Sequence, residues 1–189
     1  MNTTAHLLVG TAAFGRLDSH KISVAALLGS IAPDVSLYAL SGVSILILGI
    51  SPQVVFNELY FSDNWQTVFS IDNSFIVWGA LMAFAIHRKQ TVLLAFTAAA
   101  MLHVVTDFMM HHDDARAHFW PFSDWRFASP ISYWDSDHHA RWVAPLEGLI
   151  ATICGVILWR RYTKPILRVS VLLLLVAELL IIRQWLLFF

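Results

Sequence analysis

The segment MLHVVTDFMMHHDDARAHFW, residues 101–120, carries four histidines and three aspartates in a stretch that opens as apolar as a membrane helix. His103, Asp107, His111 and Asp114 are spaced i, i+4, i+8 and i+11, which puts them along one helical face. A histidine and a carboxylate one turn apart can share a divalent metal, for the geometric reason that paired histidines work in HExxH helices. The same spacing also suits an aspartate that accepts the second ring N–H and orients the imidazole. His112, Asp113 and His118 follow directly. With His111 and Asp114 they read either as ligands completing a two-metal site or as a hydrated cap on the helix.

The elements that must position these residues are membrane helices. The chain has 189 residues, 58% hydrophobic and 13% charged, whereas a soluble domain is nearer ~45–50% apolar and ~25% charged. Apolar blocks run over 3–15, 22–50, 74–87, 91–110, 143–159 and 165–189, with no repeat or flexible linker between them. The expectation is one all-α domain over 1–189: a polytopic helical membrane bundle of five to six segments, some short or broken. A span needs roughly 20 apolar residues, so 3–15 and 74–87 read as half-spans, and Gly29, Ser30 and Pro33 should kink or break 22–50. A net charge of −1 offers no basic surface to nucleic acid. Cys154 lies in LIATICGVIL as a small apolar filler and cannot form an internal disulfide.

The connections 16–21, 88–89 and 160–164 are basic, while 51–73 has no Lys or Arg. This alternation places the basic turns in the cytoplasm and the His/Asp/Trp-rich loop 111–142 outside, as in a bacterial inner membrane. Counted up from the cytoplasmic ends, His6, Asp34, Ser74, His103, Asp107, Glu147 and Glu178 fall at ~14–24 Å. Ionisable groups in hydrocarbon cost roughly 2.5–3.5 kcal/mol or more each unless paired, hydrated or metal-bound, so these residues should face one another. Asp72, beside Ser74, and Glu147 are the candidate general bases. Glu147 serves equally as a hydrogen-bond partner within the bundle, and Glu178 should find a partner on another helix.

The motifs TAHLLVG (4–10), LLGSIAPD (27–34), LLAFTAAAMLHVVTDF (93–108) and HFWPFSDWRF (118–127) occur in an order and spacing that resembles the YdjM-like, membrane-bound, predicted metal-dependent hydrolases, distantly related to zinc-dependent phospholipase C-type folds. The resemblance covers about the first 127 residues. It implies a helical bundle with a divalent-metal site held by His6, Asp34, His103 and Asp107. Two positions depart from the family pattern: Ser36 replaces an acidic residue after the PD, and Asn73 replaces a histidine before a serine. Both are poor metal ligands beside His and Asp.

These readings converge on a metal-dependent hydrolase that uses zinc or manganese to activate water against a lipid or phosphoester, with membrane lipids as its surroundings. Arg116, Arg126 and Arg141 suit a phosphate ester or partner the nearby aspartates. Asp135, Asp137, His138 and His139 of WDSDHHARW either fold over the site or form a solvated interface loop. The buried carboxylates and histidines are also consistent with a proton- or cation-coupled transporter, and the two departures with a non-catalytic membrane subunit that keeps a degenerate site. No GxSxG elbow, Walker loop or GxGxxG is present.

Overall fold

A computed structural model describes residues 1–188. The first helix, α1 (Thr3–Phe14), has 12 residues. That is ~18 Å of helix, short of the ~30 Å hydrocarbon core. It survives as a half-span because it lies inside the bundle, packed on α2, α7, α8 and α9. Ala5, Leu8, Ala151, Leu158 and Val171 form the apolar cluster around it.

Ser19 starts α2 (His20–Ile31) by accepting the Ile22 N–H, one of the donors a helix start leaves free. At Pro33, which has no amide hydrogen to donate, the chain tightens into a 3-10 turn, Ala32–Asp34. It resumes as α3 (Val35–Gly42) and a π-helical turn over Val43–Ile47. The whole His20–Ile47 stretch is long and apolar enough to cross a membrane, bent where Gly29 to Pro33 predicted it.

The connection 51–73 is itself largely helical. It forms a short α4 (Pro52–Val54), a π-helical turn Val55–Leu59, and α5 (Asp63–Asp72). Its polar side chains turn inward on the backbone: Thr67 and Ser70 hydroxyls donate to the carbonyls of Asp63 and Gln66 at 2.8 and 2.7 Å. Ser74 then caps α6 (Phe75–His87) by accepting from Ile76 and Val77. The two helices abut, so Asp63–His87 is a 25-residue candidate span and not the half-span expected from 74–87 alone.

The remaining helices are α7 (Thr91–Met110), α8 (Ala140–Arg161) and α9 (Pro165–Phe188). Five stretches in all are long and apolar enough to cross a membrane, and no strand occurs among the described residues. Leu149, Ile153, Leu173, Leu180 and Leu187 are exposed along α8 and α9, the lipid-facing counterpart of the interior. The most extensively packed helix pair is α2 with α7. Small residues allow it: Ala26, Ala99 and Ala100 are buried there, and a Cβ on Gly29 would collide with the Phe96 backbone carbonyl. Small side chains let helix backbones approach where lipid offers no hydrophobic drive.

Candidate metal centre

Close approach of α2 to α7 brings the Ser30 carbonyl, in the last turn of α2, to 2.7 Å from His103 Nδ1. The ring donates there, which orients the imidazole and turns Nε2 toward the carboxylates. Nε2 lies 3.1 Å from Asp107 Oδ2 and 3.6 Å from Asp34 Oδ1, yet is aligned with neither for a hydrogen bond. His6, on α1, stacks on His103 with centroids 3.6 Å apart and planes 10° from parallel. Its Nε2 meets Asp107 Oδ1 at 2.9 Å, and its Nδ1 lies 3.4 Å from the Thr106 hydroxyl.

Asp107 is the hub. The Met1 ammonium at 2.9 Å, His6 at 2.9 Å, His103 at 3.1 Å and His111 at 3.4 Å all surround its carboxylate. His111 follows Asp107 by one turn and lies beside Asp114, Nδ1 to Oδ2 2.8 Å, again without hydrogen-bond alignment. Burial opposes charge on His111, but Asp107 and Asp114 outweigh it and hold the imidazole above its ordinary value. Burial pushes Asp114 upward in turn, and His111 and Arg116 hold it below the usual carboxylate range.

One donor atom each from His6, His103 and Asp107 lies within 4.8 Å of the others, all buried. Two imidazoles and a carboxylate suit zinc or a neighbouring divalent ion. The bare Nε2 of His103 supplies the second part of the fit: an imidazole nitrogen fully buried, in no hydrogen bond, and aimed among carboxylates. The group can hold a metal ion. Asp34 Oδ2 accepts from Thr3 Oγ1 at 3.0 Å, so α1 also orients this carboxylate. Asp34, Asp107, His111, Asp114, Arg116, Tyr38 and Tyr60 share the wall of one cavity of about 370 Å³.

Three expected site residues stand elsewhere. His118 donates from Nδ1 to the Asn73 carbonyl at 2.8 Å and packs against Phe75 and Phe108. It ties the loop to the α5–α6 joint and is absent from the cavity wall. Asp72 sits beside Ser36, away from the cavity. Glu147 accepts the Asn2 N–H at 2.6 Å, and Glu178 accepts from Asn2 Nδ2 at 3.2 Å and Thr4 Oγ1 at 2.5 Å. These two wholly buried carboxylates cap the start of α1, where free N–H groups and the helix dipole favour negative charge.

Asn73, in the position of a family histidine, is buried and donates to the carbonyls of Pro33 and Phe69. It braces the turn that carries Asp34. The segment before α8 folds on itself: His112 and His138 stack at 3.4 Å, their Nδ1 atoms held by the Ser129 carbonyl and Asp135. Its histidines are not part of the His6–His103–Asp107 group. Arg116 forms no ion pair with the neighbouring aspartates, which face histidines instead. The sequence marked Ser30 only as part of the break in 22–50 and did not mark Tyr60, because neither a backbone carbonyl's partner nor a phenol's burial can be read from residue type.

Fold and centre together define an all-helical protein with the spans of an integral membrane protein and a buried His/Asp group suited to a metal. No family model, curated protein or solved structure matches this chain.

Proposed function

We propose that the protein is a membrane-bound, metal-dependent hydrolase acting on a lipid or phosphoester. The observation that supports it is the stacked His6–His103 pair closing on Asp107, with His103 Nε2 buried and in no hydrogen bond. His6, His103 and Asp107 would hold a divalent ion, zinc or manganese, which would supply Lewis acidity toward water and ester. The chain's own residues do the rest. The Ser30 carbonyl orients the His103 imidazole, Thr3 orients Asp34, and the first turn of α1 is pinned by Glu147 and Glu178. His111, with Asp114 beside Nδ1, presents its imidazole at the cavity wall. The resemblance to the YdjM-like hydrolases agrees with this reading. The charge pattern of the turns supports a bacterial inner-membrane location, with residues 111–139 on the outer side.

Protein purified without chelator carries stoichiometric metal by elemental analysis, and His103→Ala and Asp34→Ala, each still folded by circular dichroism, lose it. A folded wild-type protein with no metal under those conditions sinks the hydrolase reading. A second reading is a proton- or cation-coupled carrier, drawn from the fully buried Glu147 and Glu178, of which Glu147 Oε2 lacks a partner. It is favoured by vesicle flux that depends on Glu178 while no ester is cleaved. The departures from the family pattern at Ser36 and Asn73 leave a third, a non-catalytic subunit, for which triple substitution of His6, His103 and Asp107 would leave partner binding intact.

A further inference from the structure

Arg116 is a buried cation with no carboxylate within ion-pair distance among the described residues. Its side chain is 5% exposed as a residue, and its guanidinium stays charged throughout the physiological range. Nε and Nη1 have no hydrogen-bond partner, and Nη2 has only the Tyr60 hydroxyl at 3.5 Å. The Phe69 and Tyr60 rings lie 4.6 and 5.9 Å from its Cζ. These contacts favour the cation through the ring quadrupole, but they satisfy no N–H. A buried charge left unpaired is strongly unfavourable, and Arg116 lines the cavity that also holds Asp34, Asp107 and His111.

We propose that this cavity binds a phosphate group, with the Arg116 guanidinium donating to its oxygens while the ester side faces Asp34, Asp107 and His111. The guanidinium fork presents two donors in the geometry that oxyanions accept. Asp34, Asp107 and Asp114 lie beside histidines, and none of them forms an ion pair with Arg116. Tyr60 and Tyr133 add phenols to the wall. At about 370 Å³ the cavity falls within the ~300–1,000 Å³ of small-molecule sites, so it admits more than the phosphate alone.

One edge of the wall is Tyr38, 51% exposed on α3 and within the candidate span His20–Ile47. The cavity therefore reaches the surface that this span turns to lipid, and a phosphate carried by an amphipathic molecule has a route from the bilayer. The inference rests on the hydrolase reading for its substrate. Its test does not.

The experiment uses the full chain in detergent and compares wild type with Arg116→Gln by phosphorus NMR titration with orthophosphate. In parallel, both are reconstituted in phosphatidylcholine vesicles with and without phosphatidic acid. The expected result is binding by wild type that weakens roughly tenfold or more in Arg116→Gln, with metal content unchanged. Binding of orthophosphate assigns a free phosphate, and binding confined to phosphatidic acid assigns a lipid headgroup; either supports the subsite. Should Arg116→Gln not fold, Arg116→Lys keeps the charge and removes the fork, and the same weakening is expected. Equal affinity in wild type and variant, or no response of wild type to either phosphate source, overturns the proposal. Arg116-dependent phosphate binding by a protein without metal leaves this inference standing while the hydrolase reading fails.

Discussion

His118 is kept neutral by its surroundings. Burial between Phe75 and Phe108, which outweighs the help of the Asn73 carbonyl, pushes its pKa from 6.5 down to about 4. The unfolded chain therefore binds a proton that the native state does not over that window, and stability falls as pH drops from 6.5 through about 4. The full effect is on the order of 3 kcal/mol. Thermal unfolding in detergent should show that slope, and His118→Gln, which keeps a donor for Asn73, should flatten it; an unchanged slope in the variant refutes the assignment. His118 also shows what sequence can and cannot reveal at this scale. HHDDARAH advertises ligands, but only the fold decides that His111 and Asp114 face the cavity while His118 faces the α5–α6 joint. His6, Asp34, His103 and Asp107 were legible because an ionisable residue in an apolar block must find company, and counting depth pointed to where.

Among the elements, the α2–α7 contact sets the geometry of the centre. Gly29 permits it, and Ser30 next door supplies the carbonyl that orients His103. Gly29→Ala drives a methyl into the Phe96 backbone, which cannot move without displacing the helix. Overpacking of this kind costs about 1–3 kcal/mol or more. The expected outcome is a lowered unfolding temperature together with reduced metal content, because the same shift carries Ser30 away from His103. Loss of stability with metal fully retained would separate the two and refute the coupling. The bend at Pro33 was readable, since proline breaks the helical hydrogen-bond ladder. The helix α5 was not, because DNWQTVFSID looks like a loop until its hydroxyls are seen bonding to their own backbone and Ser74 is seen capping α6.

At the scale of the whole molecule, the centre depends on holding one short helix in place. Carboxylates on α8 and α9 clasp the start of α1, which otherwise ends its backbone donors in a region without water. Glu147→Leu removes the acceptor of the Asn2 N–H and leaves it buried, at about 1–3 kcal/mol. Glu147→Gln keeps an acceptor oxygen and should lie nearer to wild type in unfolding temperature. Equal losses in the two variants would show that the carboxylate acts by charge and not by accepting this bond. The depth register suggested that Glu147 and Glu178 belong with the other polar residues. It could not show that they serve α1, because capping depends on where a helix stops.

This clasp has a consequence for biosynthesis. Thr4 and the Glu178 carboxylate that binds it are 174 residues apart. At about 5–20 residues per second of translation, Thr4 waits roughly 10–35 s for its partner to emerge. Through that interval α1 is too short to anchor itself across the bilayer, and His6 has no fixed position. The buried His/Asp group thus gains its full support only once α9 has been made, and a nascent chain stalled before α9 would hold His6, His103 and Asp107 without the grip on the first turn of α1.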